Sequence, residues 1–100
     1  MTGWKEVETL ANNRIKVYRN DKFINVSVKG TWNLTSATSN VLATIHSEYH
    51  PSTSIVSVGI NTSNANRVYI WTNGNVTLYS LSSQTGNNEV QCSFTYPMQT

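Results

Sequence analysis

Apolar and polar residues alternate along most of this chain. Lys16 separates Ile15 from Val17, Asn25 and Ser27 separate Ile24, Val26 and Val28, and Ser57 and Gly59 separate Val56, Val58 and Ile60. A period of two marks strands with one face in a core, and the 3.6-residue period of an amphipathic helix is nearly absent. The pattern predicts strands over residues 4–10 (with Trp4 as an anchor), 14–18, 22–29, 41–45, 54–60, 67–72, 75–81 and 89–96. Turn chemistry falls between them: Asn12-Asn13, Asn20-Asp21, a polar loop over 30–40 holding Trp32 and Leu34, His50-Pro51, residues 61–66, Asn73-Gly74 and residues 85–88. Asn, Asp and Gly tolerate positive φ, and proline removes a ladder donor while holding His50 extended. Asn73-Gly74 is the strongest hairpin signal, with a two-residue tip expected. About eight short strands at this spacing predict an all-β fold, an antiparallel β-sandwich or β-barrel, as a single domain over residues 1–100.

Two strands break the one-sided rule. Val68 and Ile70 share one face of the sixth strand while Tyr69 and Trp71 share the other. In the seventh, Val76 and Leu78 oppose Tyr79 and Leu81. A sandwich strand needs only one apolar face, so the second is expected either to bury against a neighbouring subunit or to display aromatics to a ligand.

Composition narrows the function classes. Charged residues make up 12% of the chain, and Asn, Ser and Thr supply 38 of its 100 residues. A polar, weakly charged surface suits hydrogen bonding to hydroxyl-rich ligands. Ten aromatics at regular spacing argue against disorder. The seven basic residues are scattered and interleaved with Glu6, Glu8 and Asp21, without the dense basic stripe of a nucleic-acid reader. No apolar run approaches a membrane span, and Met1–Glu6 lacks the apolar segment of a signal peptide. Cys92 is the single cysteine, so no disulfide forms within the chain. It shares its phase with Val90, Phe94 and Tyr96 and reads as a core thiol.

Catalytic and metal patterns are weak. His46, Glu48 and His50 have ligand chemistry at i, i+2 and i+4, but Pro51 breaks the strand that would align them. Glu6 and Glu8 fall on one face of a regular strand and could flank a glycosidic bond, although two solvent-facing charges are the commoner arrangement. No serine sits in Gly-x-Ser-x-Gly, and no glycine-rich phosphate loop occurs. The expectation is a chain without catalytic residues, metal or cofactor. The sequons at Asn25, Asn33, Asn61 and Asn75 match the number that such a composition produces by chance.

The aromatics remain. A sugar offers an apolar C–H face and a ring of hydroxyls, so its site wants an exposed Trp or Tyr beside Asn, His or Arg. Trp32, Tyr49, His50, Arg67, Tyr69, Trp71 and Asn73 meet that description and are the candidate saccharide-binding residues. The competing role for each aromatic is core or interface packing.

Several short motifs lie in a familiar order. Gly3-Trp4-Lys5-Glu6-Val7 opens the chain, Tyr18-Arg19-Asn20-Asp21-Lys22-Phe23-Ile24 follows, then Ile45-His46-Ser47-Glu48-Tyr49-His50-Pro51-Ser52, then the Asn73-Gly74 hairpin. In that order the chain resembles the C-terminal head domains of bacteriophage tail-fibre and baseplate receptor-binding proteins. His46, Glu48 and His50 depart from the proline, glycine and arginine usual in the family's turn. The resemblance implies a homotrimeric β head in the virion that binds host-cell surface saccharide without enzymatic activity, alongside other tail or baseplate proteins. It implies a fragment from the C-terminal end of a longer protein, made in the host cytoplasm and released by lysis. A purely structural virion subunit and an accessory domain of a polysaccharide-degrading fibre are the alternatives.

Overall fold

The computed structural model describes residues 3–35, 37–60, 65–80 and 85–99, with the side chains of residues 57–60 and 65–66 also outside the description. Eight strands follow one another: β1 (Lys5–Leu10), β2 (Ile15–Arg19), β3 (Phe23–Leu34), β4 (Thr38–Thr44), β5 (Ile55–Ile60), β6 (Ala65–Ile70), β7 (Asn75–Ser80) and β8 (Gly86–Pro97), with one 3₁₀ turn over Ser47–Tyr49 before β5. All pairings are antiparallel. The order β1-β2-β3-β8-β5-β6-β7-β4 resolves into two four-stranded sheets, because β8 and β5 meet through the single pair Ile60↔Gln91. The inner faces share one core: Ile15, Val17, Ile24, Val26, Val28, Val90, Phe94 and Tyr96 from β1-β2-β3-β8, and Leu42, Val68, Ile70, Val76 and Leu78 from β5-β6-β7-β4. The predicted all-β sandwich is therefore the fold.

Two strands are longer than the sequence pattern predicts. β3 and β8 each run twelve residues, in register from Phe23↔Pro97 to Leu34↔Gly86. The region over 30–40 is thus a strand up to Leu34 and a strand again from Thr38, not a polar loop. Alternation continues through Gly30, and β8 supplies a partner for every residue of the extension. Gly30 takes the inner-face phase because the Arg14 side chain occupies the space a Cβ would fill. Arg14 donates from Nε to Ala11 O at 2.6 Å and from a terminal nitrogen to Thr31 O at 2.5 Å, and its guanidinium lies 4.4 Å from the Trp32 ring centroid. Trp32 is 8% exposed and belongs to the core.

Strand irregularities re-aim two segments. A register shift between Glu6 and Glu8 sets Glu6 opposite Tyr18 and Glu8 opposite Val17. Opposed residues share a face, so the bulge at Val7 turns the two carboxylates to opposite faces and undoes the pairing expected of a regular strand. Glu6 then meets Lys16 Nζ at 3.9 Å and accepts from Thr9 Oγ1 at 3.0 Å, while Glu8 accepts from the His46 N–H at 3.0 Å. A second shift between Val41 and Ala43 leaves Val41 outward, opposite Thr77, and Leu42 in the core.

The β6–β7 hairpin forms where expected but with a different turn. The Gly74 N–H donates to Trp71 O at 2.8 Å and the Trp71 N–H to Asn75 O at 3.0 Å. Gly74 has φ +86°, whereas Asn73 does not enter the positive-φ region. A two-residue type I′ tip needs both, so the loop is a four-residue turn over 71–74 closed by a left-handed glycine. The Asn73 side chain shapes it by accepting from the Asn75 N–H at 3.0 Å.

Candidate functional site

The outer faces of the two sheets differ in chemistry. On β3 and β8 the outer face is polar: Asn25, itself buried, donates to Ser93 Oγ, Phe94 O and Thr95 Oγ1 at 3.0–3.1 Å and accepts from Ser27 Oγ at 3.1 Å. Lys29, Thr31, Asn33, Glu89 and Gln91 continue that face. The outer face of β5-β6-β7-β4 is apolar and aromatic. Register places Val56 opposite Tyr69, Tyr69 opposite Thr77, and Thr77 opposite Val41, a single row across all four strands. Among the described residues five large hydrophobics are well exposed, and four of them stand on this face: Val41 (60%), Val56 (53%), Tyr79 (48%) and Trp71 (41%). The fifth, Phe23, lies at the β2–β3 turn beside a shallow concavity of about 290 Å³ lined with Gly3, Asn20, Asp21 and Lys22.

Within that face two rings form a fixed pair. Tyr69 and Trp71 stack at 5.1 Å between centroids with 15° between planes. The indole is held by its own donor, since Trp71 Nε1 donates to Thr77 Oγ1 at 2.8 Å. Thr77 faces Tyr69 across the ladder, so the bond draws the indole along the strand until its plane meets the phenol ring. The result is a preformed aromatic stack in which the two rings cover one face of each other, Tyr69 half-buried and Trp71 exposed, leaving ring edges and outer ring face to solvent. Arg67 lies two residues before Tyr69 on the same outward phase and is exposed.

The seven residues singled out by sequence therefore separate. Arg67, Tyr69 and Trp71 come together on the outer face, and Asn73 stands exposed at the hairpin tip beside them. Trp32 does not join them, because it is walled into the core behind Arg14. Tyr49 and His50 serve the turn itself. Tyr96 Oη donates to Tyr49 O at 2.5 Å, His50 Nε2 lies 2.7 Å from Ile45 O, and His50 O accepts from Gln99 Nε2 at 2.7 Å. The His50 ring rests on Gly74, where a Cβ would collide with it, and Ile45 N–H donates to Gly74 O at 2.9 Å. These contacts dock the Tyr49-His50-Pro51 turn onto the base of the β6–β7 hairpin and so position the aromatic surface from behind.

Sequence reasoning left out Thr77, Val41 and Val56. The alternation of Val56, Val58 and Ile60 reads as a core face, yet register sets Val56 opposite Tyr69 and Ile55 opposite the buried Ile70, so Val56 faces outward. Val41 and Thr77 join it only once the partner strands and the β4 bulge are known. Leu81, expected on the same face, lies outside the described residues.

Other chemistry on the chain is engaged structurally. His46 Nδ1 accepts from the Glu48 N–H at 3.3 Å, capping the 3₁₀ turn, while His50 faces Ile45 O. Among the described residues no group of three His, Cys, Asp or Glu side chains is placed to hold a metal ion. Val7, Glu8, His46, Glu48 and Tyr49 border an open concavity of about 180 Å³. Burial pushes the Cys92 thiol up to about 12, which leaves it protonated and unreactive near neutral pH. Burial, and then the Glu8 carboxylate, raise the Tyr96 phenol.

A scan against protein-family models finds no match, and a search of curated proteins finds none either.

Proposed function

We propose that this domain is a non-enzymatic adhesion module that binds saccharide on the outer face of β5-β6-β7-β4. One observation carries the reading: the stacked Tyr69–Trp71 pair, pinned by Thr77 and left open to solvent. A pyranose ring laid on such a surface places its C–H face on the aromatics and its hydroxyls toward the border. Asn73, Asn75, Thr72 and Arg67 supply the border's polar groups. The rings are already held in place, so little side-chain entropy is lost on binding. An open, flat face gives weak affinity per site, and several copies on one particle would supply the avidity.

The setting follows from the motif resemblance. The domain would be the receptor-binding head of a bacteriophage tail fibre or baseplate, assembled as a homotrimer in the virion and directed at host-wall polysaccharide, beside other tail or baseplate proteins. Neither Glu6 and Glu8, turned to opposite faces, nor the engaged histidines offer this chain a pair of groups for glycoside hydrolysis.

A second reading has its own support. Val41 and Val56 extend the apolar face beyond the stacked rings, as a seam between protein surfaces would require. In that case the chain is a structural subunit. Binding of purified host-wall polysaccharide by the wild type and by Trp71→Ala separates the two. The adhesion reading expects saturable binding that Trp71→Ala abolishes while the oligomeric state by light scattering stays the same. Loss of assembly in Trp71→Ala, with no sugar binding by the assembled wild type, would instead establish the structural subunit.

A further inference from the structure

The sheet β5-β6-β7-β4 contains 25 residues of strand and a single charged one, Arg67. The five carboxylates of the chain all lie elsewhere: Glu6 and Glu8 on β1, Asp21 in the β2–β3 turn, Glu48 in the 3₁₀ turn and Glu89 on β8. The other six cations stand on β1, β2, β3 or the turns joining them. Arg67 is thus a lone guanidinium on an otherwise uncharged aromatic face, and among the described residues no carboxylate pairs with it. Arg14 provides the internal contrast. Its guanidinium is spent on two backbone carbonyls and the Trp32 ring, and it is half-buried.

From this placement we infer that the ligand of the Tyr69–Trp71 surface is an anionic saccharide, with an oxyanion carried on or next to the pyranose that stacks on the rings. The inference rests on the saccharide reading of this face and specifies its ligand. Arg67 and Tyr69 are two residues apart on one strand, a rise of about 6–7 Å, which matches the reach from the centre of a pyranose to an oxygen on C6 plus one hydrogen bond. A sugar seated on Tyr69 and Trp71 therefore brings a C6 carboxylate, or a phosphate at that position, within reach of the guanidinium. Guanidinium geometry suits either group, because its parallel N–H donors match two oxygens at once. No protein carboxylate competes for the cation, so its charge is available to the ligand. A uronate and a sugar phosphate share this chemistry.

The test is a glycan array in which each backbone appears as a matched pair: neutral and C6-carboxylated (the methyl ester against the free uronate), and neutral and phosphorylated. The chain is applied in its native assembly. Binding is expected only to the anionic members, with the uronate and phosphate pairs identifying which oxyanion is preferred. In Arg67→Gln, affinity for those members falls about ten- to hundredfold, the usual worth of a charge-assisted bond, while Arg67→Lys retains part of it. Binding weakens as salt approaches 1 M, where the Debye length is about 3 Å. The Arg67 side chain is exposed, so both variants fold with an unchanged melting temperature. Equal binding to neutral and charged members, indifferent to Arg67→Gln but lost in Trp71→Ala, overturns the anionic ligand and leaves the aromatic platform standing. No binding to any member overturns both.

Discussion

Trp71 donates its indole N–H to the hydroxyl of Thr77 at 2.8 Å, from the next strand. Thr77 is thereby covered, and the indole is fixed against Tyr69 rather than free to rotate about χ1 and χ2. The Thr77→Val variant keeps the shape and removes the acceptor. It should lower stability by about 1 kcal/mol, the net worth of one such bond, and release the ring. The check is amide and indole hydrogen exchange: the Trp71 Nε1–H should exchange faster in the variant while the amides of β6 keep their protection. Saccharide affinity should fall with it, because the platform is no longer preformed.

Trp32 and Trp71 should behave in opposite ways. Trp32→Ala removes a large buried side chain and the surface on which Arg14 rests, at a cost of about 3–5 kcal/mol. Trp71→Ala, on a partly exposed face, should cost less, about 2 kcal/mol from the lost indole bond and ring stack, and abolish binding. Urea unfolding beside a saccharide-binding titration separates them. A Trp71→Ala protein as destabilised as Trp32→Ala would mean that Trp71 is a core residue.

His50 and Gly74 should be energetically coupled. A Cβ on Gly74 would enter the His50 ring and approach Ile45 O at 2.6 Å, and φ at Gly74 is +86°. Gly74→Ala should therefore cost about 2 kcal/mol or more, from strain and overpacking together. His50→Ala removes the ring and its contact with Ile45 O. The double variant should be less destabilised than the sum, by about 1 kcal/mol, because one of the two clashes is gone. The carbonyl of Ile45 stays, so relief is partial. A double-mutant cycle by chemical denaturation measures it; strict additivity would mean the turn and hairpin are not docked through this contact.

Alkaline pH should destabilise the fold. Cys92 is raised from 9.0 to about 12 by burial. Tyr96 is raised by burial and by Glu8. Both groups hold their protons longer when folded than when unfolded, so above pH 9 the unfolded chain binds fewer protons and stability falls. The contribution is complete below pH 9 and is lost as pH climbs toward 12. Denaturant midpoints between pH 7 and 11 should show this decline, and Cys92→Ala should flatten its first part, from pH 9, leaving the Tyr96 contribution that begins near 10. An unchanged slope in Cys92→Ala would mean that the thiol is not buried in solution.

Much of the architecture was legible in the chain because strand alternation is local. Ile24, Val26 and Val28, or Val68 and Ile70, declare their inward face without knowing what covers it. The doubly apolar β6 was legible too, and with it the association of Tyr69 with Trp71 at i and i+2. Trp32 was misread for a definite reason. Its surroundings, Gly30-Thr31-Trp32-Asn33, look like a loop because a glycine replaces the apolar residue in phase, and only the Arg14 side chain explains that glycine. Tyr49 and His50 have the composition of a sugar site, yet the His50 ring faces Ile45 O and the backbone carbonyls of both residues accept from Tyr96 and Gln99, partners that lie distant or unsignalled in sequence.

The sequence by itself determined the period, the number of strands, most turn positions and the excess of apolar residues on β6 and β7. These depend on side-chain type at adjacent positions, which a linear reading contains in full. Tertiary structure decided which strands pair, where they slip and therefore which residues share a face. A one-residue bulge at Val7 is enough to turn Glu6 and Glu8 apart, and another at Leu42 sets Val41 in line with Thr77, Tyr69 and Val56. Register is fixed by long-range burial and by partners dozens of residues away, so the aromatic face and its lone arginine exist as one surface only after the sheet is assembled.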